Sequence, residues 1–347
     1  MNRKLYFIRA NRNKFGGAEN YLSRLSIALN KQNINYQVVN SVFPRFLPSW
    51  LRAILFNFQV SFLKKDKFYF SLDRITCPDI YRAGDGVHKA FLKVENKSKL
   101  NPLHPVYLYL EKRCFNNAKC IIANSNMIKN EIVSTYEIKS NKVRVVYNGI
   151  ENKKINYSKS FRKISKEFNI DKNTQILLYV GSGFKRKGVL EFLQVVEKLK
   201  SYDIKAFIVG KDKNIRYYQQ LAKEFNIDKK VIFTGPREDV DDFYTISDIF
   251  ILPTHYEPFS NVILEAMNFK NVVFTTRQNG ASEILNPEYM AESPNDLSIV
   301  PTIKKLLSDK NKLEEEKVTN RETSKKFSIE RNLKESLKII SMVVNNS

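Results

Sequence analysis

The sequence predicts an α/β protein made of two doubly wound domains with parallel sheets, facing each other across a cleft. Its 347 residues exceed what one ordinary hydrophobic core holds. Short apolar strands alternate with amphipathic helical segments in both halves, the pattern of parallel sheets covered by helices. Each half also opens in the same way, with a strand, a glycine-containing loop and a helix, at residues 4–31 and 175–200.

Composition narrows the class of protein. A hydrophobic content of 43% with 24 Phe indicates a folded globular chain. Cys77, Cys114 and Cys120 show no metal-ligand spacing, and an odd number gives no disulfide framework, which fits a reducing cytosol. The apolar run at the N-terminus is too short for a signal peptide, and no run of about 18 apolar residues predicts a transmembrane helix.

The net charge of +22 is unevenly distributed. The first 150 residues contain 25 Lys and Arg but only nine Asp and Glu. This half is therefore expected to meet an anionic partner, either a nucleic acid or a membrane surface. No helix-turn-helix, zinc-finger or RNA-recognition signature accompanies the charge.

The first glycine loop follows the strand at 4–8 and contains Gly16-Gly17. A glycine pair between a strand and a helix lets the backbone approach a phosphate closely, although such a pair also occurs in ordinary turns. A strand is predicted at 36–42. Residues 46–63 then form a helix that is apolar on nearly all sides and ends at three lysines. It is either a buried helix or a helix lying in a membrane interface.

Strands at 67–72 and 79–83 precede the loop Gly84-Asp85-Gly86-Val87-His88. Because α/β enzymes place active-site groups after strand ends, Asp85 and His88 are candidates; a structural turn with a solvated Asp is the alternative. A helix at 102–116 that is both basic and aromatic again suggests a position at a membrane interface. The polar segment 152–165 sets the predicted domains at 1–155 and 166–325, with a terminal helix at 326–347 packing back on the first.

The second glycine loop follows the strand at 175–180 and reads Gly181-Ser182-Gly183-Phe184-Lys185-Arg186-Lys187-Gly188. Its spacing fits neither a Walker loop nor the dinucleotide fingerprint. Arg186 and Lys187 are suited to clamping a diphosphate, whereas the alternative is a solvated basic loop. Further strands are predicted at 205–209, 231–235 and 271–275, and Arg237 lies in the turn after the second of these.

A third motif joins a buried strand at 249–253 to a helix that begins near Ser260 or Asn261, either of which can cap it. The N–H groups of that first turn form an anion site. Glu257 and Glu265 flank it with hydrogen-bond acceptors, an arrangement that suits a sugar nucleotide. The alternative is two ordinary solvated carboxylates near a helix start.

Together these motifs resemble glycosyltransferase family 4, whose members have the GT-B fold. The Glu-x7-Glu run from Glu257 to Glu265 is that family's usual signature. Residues 180–189, 208–213 and 82–85 are similar to the lipopolysaccharide-core glucosyltransferases that add glucose to inner-core heptose. The resemblance is strong over 175–268 and thin over 30–75.

The resemblance implies a bacterial, retaining, metal-independent hexosyltransferase that needs no cofactor. Its donor would be UDP-glucose and its acceptor a membrane-anchored glycolipid, the core of lipopolysaccharide or lipooligosaccharide. The implied catalytic residues are Asp85, Arg186, Lys187 and Glu257. The implied donor-binding residues are Gly16, Gly17, Gly181, Ser182, Gly183, Arg237, Phe259, Ser260, Asn261 and Glu265.

The resemblance also assigns roles to these residues. Glu257 would hold sugar hydroxyls, with the N–H groups of 259–261 near the phosphate and sugar, and Glu265 would hold the ribose. Arg186 and Lys187 would neutralise the departing diphosphate. Gly17 would bring its N–H to the phosphate, and Asp85 would face the reacting sugar. His88 matches no residue of the family. Asn279-Gly280-Ala281 stands where the family often has Gly-Gly, which leaves the details of the donor loop open.

The implied location is cytoplasmic and peripheral on the inner face of the cell membrane. The basic N-terminal domain would contact anionic lipid there, rather than nucleic acid. Alternatives remain: another donor sugar transferred to capsule or lipid-linked oligosaccharide, a basic nucleic-acid-binding protein, or a membrane-surface scaffold without catalysis. A scaffold has no need of the Glu pair or of Arg186-Lys187, which argues against the last.

Overall fold

The computed structural model describes residues 4–11, 17–95 and 101–345. The chain divides into two compact units, residues 1–148 with 329–347, and residues 149–328. Each unit contains a six-stranded sheet in which every described pair of neighbouring strands is parallel. The predicted α/β class with two doubly wound domains is therefore confirmed.

The sheet of the first unit has the strand order β2-β1-β3-β4-β5-β6. Its strands are β1 (Leu5–Ile8), β2 (Tyr36–Val39), β3 (Phe68–Ser71), β4 (Ile80–Ala83), β5 (Cys120–Ala123) and β6 (Val143–Val145). Its helices are α1 (Gly17–Lys31), α2 (Ser49–Leu63), α3 (His88–Glu95), α4 (Leu103–Asn117) and α5 (Asn126–Tyr136), together with a C-terminal helix at Ile329–Asn345.

Strand β1 shows how the first unit buries both faces of its sheet. Successive side chains of a strand point to opposite faces. Leu5 and Phe7 accordingly belong to the same core as Leu25 of α1, whereas Ile8 packs on the other face with Phe56 of α2. Because helices cover both faces, all four residues of β1 are apolar and buried.

The C-terminal helix packs within the first unit. Ile340 and Val343 belong to the core that also contains residues of α1. The hydroxyl of Tyr21 donates a hydrogen bond to Ser336 Oγ at 3.0 Å, and both side chains are buried. The last helix of the chain thereby completes the core of the unit that the first strand begins.

Helix α2 is only partly buried. Phe56 and Val60, four residues apart, reach the core, whereas Phe58 and Phe62 are 66% and 83% exposed. Phe46, just before the helix, is 85% exposed. The interpretation of residues 46–63 as a helix buried on all sides is wrong, because only one stripe of this outer helix meets the sheet. Within the described ranges, no helix is long and apolar enough to cross a membrane.

The sheet of the second unit has the strand order β12-β11-β10-β7-β8-β9. Its strands are β7 (Gln175–Val180), β8 (Ile204–Val209), β9 (Val231–Gly235), β10 (Ile249–Leu252), β11 (Val272–Thr276) and β12 (Met290–Ala291). Its helices are α6 (Tyr157–Phe168), α7 (Phe184–Lys187), α8 (Val189–Lys198), α9 (Ile215–Glu224), α10 (Val240–Ile246), α11 (Asn261–Asn268), α12 (Ile299–Ser308) and α13 (Lys310–Lys325).

The segment 152–165 is not the irregular linker that its polarity predicts. Most of it belongs to α6, and the division between the units falls earlier, between residues 148 and 149. Ile164 and Phe168 lie one turn apart on the buried side, and Phe168 packs edge-on against Phe207 and Phe243. The apolar stripe of this helix is short and lies among lysines that face solvent, so the sequence pattern did not indicate a helix.

Candidate active site

The candidate site of the second unit lies at the carboxyl ends of β7 and β10, which are neighbours in the sheet. Their following loops therefore run side by side, as is usual for ligand sites in open α/β sheets. Gly188 makes this approach possible, because a Cβ at that position would lie 1.9 Å from Pro253 O and its φ is +80°. Only glycine fits this position without displacing the neighbouring loop.

The loop after β7 contains a single helical turn, α7, where the sequence predicts only a loop. Phe184 is fully buried, and its N–H donates to Asp212 Oδ2 at 2.8 Å. The turn is anchored in this way, and its last two residues are Arg186 and Lys187. The helical turn therefore sets the direction in which the two cations point.

Arg186, Lys187 and Glu257 form one ion cluster. Arg186 Nη1 donates to Glu257 Oε2 at 2.5 Å and to Tyr256 O at 2.7 Å. Lys187 Nζ lies 3.7 Å from the same Glu257 oxygen. Three of the four residues predicted to be catalytic are thus brought together from two separate loops.

The cluster keeps binding capacity for an anion. Two cations face one carboxylate, so the cluster is positive by one charge. Nε and Nη2 of Arg186 have no hydrogen-bond partner among the described residues. A guanidinium with unused donors beside an ammonium suits the oxygens of a diphosphate.

The glycine loop itself is tied to the end of β8. The N–H of Gly181 donates to Val209 O at 2.9 Å, and that of Gly183 to Lys211 O at 3.4 Å. Ser182 Oγ accepts from Lys211 N at 3.2 Å. These three predicted donor-binding residues lie just before Arg186 in the sequence. Their loop is fixed by hydrogen bonds to the end of β8 and the residues that follow it.

Helix α11 begins after Ser260, but the serine side chain makes no capping hydrogen bond, so the expected local cap is wrong. The Ser260 N–H donates instead to Asn279 Oδ1 at 3.3 Å. A tertiary contact therefore fixes the helix start, and this amide is directed at Asn279. Phe259 is buried beside it, and Asn261 is the first residue of the helix.

Asn279 is a site-organising residue that the sequence analysis treats only as a departure from the family. It is fully buried; its Oδ1 accepts from the N–H groups of Ser260 and Ala281, and its Nδ2 donates to Thr275 Oγ1 at 3.1 Å. The backbone of Glu257 is paired with the same segment on both sides, through Gln278 O and Gly280 N at 2.9 Å each. An amide side chain at position 279 thus holds the Glu257 loop in place.

Glu265 lies one turn into α11 and is partly buried. The hydroxyl of Tyr244, in α10, donates to Glu265 Oε2 at 3.3 Å. The carboxylate is therefore oriented from a neighbouring helix, an interaction that the spacing in the sequence does not reveal.

A pair formed by the half-buried His255 and the buried Glu191 supports Arg186 from behind and is not evident from the sequence. His255 Nε2 lies 2.8 Å from Oε1 of Glu191, which is 5% exposed. His255 N and Thr254 Oγ1 donate to Arg186 O at 2.8 and 3.0 Å. The end of β10 therefore holds the backbone of the cationic turn.

Arg237 is engaged elsewhere in the second unit. Its guanidinium contacts both oxygens of Glu167 at 2.7 and 2.9 Å, and both oxygens of Asp239 at 2.8 and 2.9 Å. These hydrogen bonds raise the pKa of Arg237, and the contact with Arg237 lowers the pKa of Asp239. The structure places this predicted donor-binding residue in a separate ion cluster after β9.

The remaining predicted residues belong to the first unit. Gly16 lies outside the described residues, and Gly17 is the first residue of α1. Asp85 is exposed in the turn after β4 and lines a cavity at the carboxyl ends of β1, β3 and β4. His88 is 9% exposed at the start of α3, where its ring packs against Tyr107.

The protonation of His88 follows from this burial. Burial lowers its pKa to about 4, and the nearby Arg74 guanidinium adds to the effect. The ring nitrogen Nε2 lies 3.2 Å from His104 Nδ1. His88 is therefore a neutral packing residue at pH 7. In the part of the chain that the structure covers, no group of three His, Cys, Asp or Glu is arranged to hold a metal ion.

Two family models match this chain. The model of Glycosyltransferase Family 4 matches residues 82–154, and that of Glycosyl transferases group 1 matches residues 160–325. Together they span more than two thirds of the sequence, including the second sheet and strands β5 and β6 of the first. The chain is a glycosyltransferase with a family 4 domain and a group 1 domain.

Related proteins support this family and its fold. The lipopolysaccharide glucosyltransferase WaaG of Escherichia coli is 33% identical over 119 residues, 33% of this chain and 32% of WaaG. The capsular polysaccharide biosynthesis glycosyltransferase CapM of Staphylococcus aureus is 29% identical over 225 residues, 59% of this chain and 56% of CapM. The chain spans about half the length of the curated relatives it matches.

Solved structures confirm the predicted GT-B fold. The crystal structure of WaaG superposes with a TM-score of 0.78 at 18% identity, covering 97% of this chain and 99% of that one. The Anabaena HepE structure in complex with UDP-glucose gives 0.74 at 16% identity, covering 98% and 99%. This glycosyltransferase thus shares its fold with WaaG and HepE over nearly its whole length.

Proposed function

We propose that this glycosyltransferase moves glucose from UDP-glucose onto a membrane-anchored glycolipid, the core of lipopolysaccharide or lipooligosaccharide. The anomeric configuration would be retained, and no metal would be needed. The ion cluster of Arg186, Lys187 and Glu257 carries the proposal, because it offers two cations and one acceptor carboxylate at the carboxyl edge of the second sheet. The name of WaaG supports glucose, and the HepE complex supports a UDP-sugar.

In this mechanism the diphosphate lies against the cations. The bond between C1 of the sugar and the phosphate oxygen breaks, and an acceptor hydroxyl forms a bond to C1 on the same face. The acceptor's proton passes to the departing phosphate. Arg186 and Lys187 stabilise the negative charge that develops on the leaving group, while Glu257 accepts hydrogen bonds from sugar hydroxyls and Glu265 from the ribose.

A second candidate is favoured by the similarity to CapM, whose match covers more of this chain than that of WaaG. The same cluster would then transfer another sugar to a capsule or lipid-linked precursor. Glu257 accepts hydrogen bonds from any hexose with suitably placed hydroxyls. A donor panel therefore separates the two candidates.

The acceptor's membrane anchor has a matching surface in the first unit. An apolar groove runs between α2 and α4 and includes Phe58 and Tyr109, both exposed. Phe62 and Phe46 extend the aromatic surface, and lysines follow the end of α2. Exposed aromatic rings beside lysines suit peripheral binding to anionic lipid, on the cytoplasmic face of the cell membrane in this proposal.

The test is a thermal-shift and donor-hydrolysis panel of UDP-, GDP- and ADP-sugars. We expect UDP-glucose to raise the melting temperature and to be hydrolysed slowly. Both effects should be lost in Glu265→Ala, because the ribose loses its acceptor. The matched control is Glu224→Ala, which removes an exposed carboxylate on α9 of the same unit.

Three outcomes decide the matter. A response to UDP-glucose that Glu265→Ala abolishes and Glu224→Ala preserves supports the proposal. A response confined to another nucleotide sugar overturns UDP-glucose as the donor but leaves the proposed transferase activity intact. If no nucleotide sugar raises the melting temperature or is hydrolysed, the assignment as a transferase is itself overturned.

A further inference from the structure

Tyr244 of α10 is a fully buried side chain whose hydroxyl reaches the candidate donor site. The hydroxyl donates to Glu265 Oε2 at 3.3 Å and makes no other hydrogen bond within the described ranges. Glu265 is the carboxylate that the proposed function assigns to the ribose of the donor. The contact therefore joins a residue of the hydrophobic core to a residue of the donor site.

The ring of Tyr244 is held in place by two other aromatic rings. It stacks on Phe269, which directly follows α11, with ring centroids 5.7 Å apart and an interplanar angle of 11°. Phe250 of β10 lies against it at 5.9 Å, tilted by 43°. Aromatic contacts at such distances add to the stabilisation that burial provides. The hydroxyl therefore has little freedom to move away from Glu265.

The backbone of Tyr244 is fixed by a buried amide side chain. Asn271 is fully buried, and its Nδ2 donates to Tyr244 O at 2.8 Å and to Ser247 O at 2.9 Å. Asn271 lies in the short connection between α11 and β11. The end of α10 is thus attached to the segment that follows α11, the helix that carries Glu265.

Packing alone does not explain the hydroxyl of Tyr244. A phenylalanine has the same ring, and a buried hydroxyl costs free energy unless it is hydrogen-bonded. Burial raises the pKa of Tyr244, and the carboxylates of Glu265 and Asp241 raise it further. The phenol therefore keeps its proton at pH 7 and is the donor in a charge-assisted hydrogen bond to Glu265.

This hydrogen bond restricts the orientation of the Glu265 carboxylate. Glu265 lies one turn into α11 and is only partly buried, and the last torsion of a glutamate side chain is broad rather than confined to one rotamer. A fixed donor on one oxygen selects one orientation of the carboxylate plane. An ionised carboxylate has about four acceptor positions. The bond from Tyr244 is therefore compatible with a further bond from a ribose hydroxyl.

Resting on the proposed function, we propose that Tyr244 is a positioning residue for the ribose of the donor. Its hydroxyl holds Glu265 in the orientation that accepts from a ribose hydroxyl, and so sets the preference of the site for ribonucleotides over deoxyribonucleotides. A site built to hydrogen-bond a hydroxyl rejects the analogue that lacks it, because the acceptor is then left without its partner. The rejection is stronger when the acceptor is held in place before the ligand binds.

The test is calorimetric titration of the full chain with UDP, GDP and ADP and with the 2′-deoxy and 3′-deoxy counterparts of whichever binds most tightly. We expect wild type to bind that ribonucleotide about tenfold or more tightly than at least one deoxy counterpart. Tyr244→Phe should reduce this preference to about threefold or less, because Glu265 loses its fixed orientation. A general loss of structure would weaken both nucleotides alike and leave their ratio unchanged.

Two comparisons isolate the hydroxyl of Tyr244. The matched control is Tyr289→Phe, because Tyr289 is also buried in the second unit and its hydroxyl pairs with Glu316 of α13; this variant should keep the preference. In a Glu265→Ala background the preference is already lost, so adding Tyr244→Phe should change the ratio by less than about twofold. Tyr244→Met is a second variant that fills the core without a hydroxyl and should behave as Tyr244→Phe does.

The outcome is separable from that of the proposed function. A wild type that binds ribonucleotide and deoxyribonucleotides equally, or a Tyr244→Phe variant that keeps the wild-type preference, overturns the role of Tyr244 and leaves the transferase. A preference for GDP or ADP over UDP overturns the proposed donor but not this inference, because the ratio compares nucleotides with the same base. No binding of any nucleotide up to about 10 mM overturns both.

Discussion

At the scale of single residues, the decisive feature of the donor site is a carboxylate shared by two cations. Glu257 holds Arg186 at 2.5 Å and lies 3.7 Å from Lys187, and the loop that carries it is locked by Asn279. Its charge therefore orients the groups that we propose to stabilise the leaving diphosphate. Its oxygens are also the acceptors proposed for the sugar.

Glu257→Gln is expected to lower kcat/KM for donor hydrolysis by roughly 10²-fold. The amide keeps the shape but loses the charge and one acceptor position, and removing one such group from a preorganised site has effects of this order. Steady-state kinetics with UDP-glucose provide the measurement. Glu224→Gln, an exposed carboxylate on α9, is the control. Rates for Glu257→Gln within twofold of wild type would rule out this role.

His88 makes the stability of the first unit pH-dependent. Because its folded pKa is about 4, below the ordinary value of 6.5, the unfolded chain binds the proton more tightly. The stabilisation is complete above pH 6.5 and is lost as the pH falls toward 4, by up to about 3 kcal/mol. Arg74 opposes the imidazolium, while Glu111 favours it without cancelling the effect of burial.

His88→Gln removes this titration. The difference in unfolding free energy between wild type and variant should therefore shrink between pH 7 and pH 4.5. Urea unfolding at several pH values measures it. A difference that stays constant across this range would contradict the assignment of His88 as a buried neutral imidazole.

At the scale of elements, the donor site depends on how closely two connections pack. Gly188 lies between α7 and α8 in a left-handed conformation, directly against Pro253 at the end of β10. Gly210 has a similar role after β8, where a Cβ would lie 2.0 Å from Gly181 O. The glycines of this unit therefore set the spacing of its loops.

Gly188→Ala should destabilise the second unit by about 3 kcal/mol, because it combines a left-handed φ with a clash against the backbone of Pro253. Gly235→Ala is the control, since it has a similar φ of +72° but open space around the position, and about 1 kcal/mol is expected there. Thermal unfolding compares the two. Equal losses would show that packing against Pro253 is unimportant.

At the scale of the whole molecule, charge and aromatic exposure occur together in one part of the chain. The excess of basic residues is concentrated in the first 150 positions, and the exposed phenylalanines of α2 lie there as well. Both are expected of the surface that we propose for contact with anionic lipid.

Replacing Phe58 and Phe62 by Ser is expected to weaken binding to phosphatidylglycerol-containing vesicles about tenfold or more, because two apolar side chains no longer enter the interface. Vesicle co-sedimentation at 50 and 500 mM NaCl measures it, and the higher salt should weaken wild-type binding as well. Tyr217→Ser, an exposed aromatic in the second unit, is the control. Equal binding by the double variant and wild type would exclude α2 as the contact.

The sequence by itself determined the order of the elements, because strand and helix patterns are local. The strands at 175–180 and 249–252 and the glycine loops were all predictable from neighbouring residues. The helix at 157–168 was missed only because its apolar stripe is short. The same locality made the family recognisable, since the Glu257–Glu265 signature lies within nine residues.

Only the tertiary structure decided which side chains meet. Arg186 contacts Glu257 because β7 and β10 are neighbours in the sheet, although six other elements separate the two strands in the chain. The same reason places Asn279 beneath Ser260 and pairs Arg237 with Glu167 instead of a donor. Strand order and the exposed side of α2 follow from the packing of the whole unit, which local patterns do not encode.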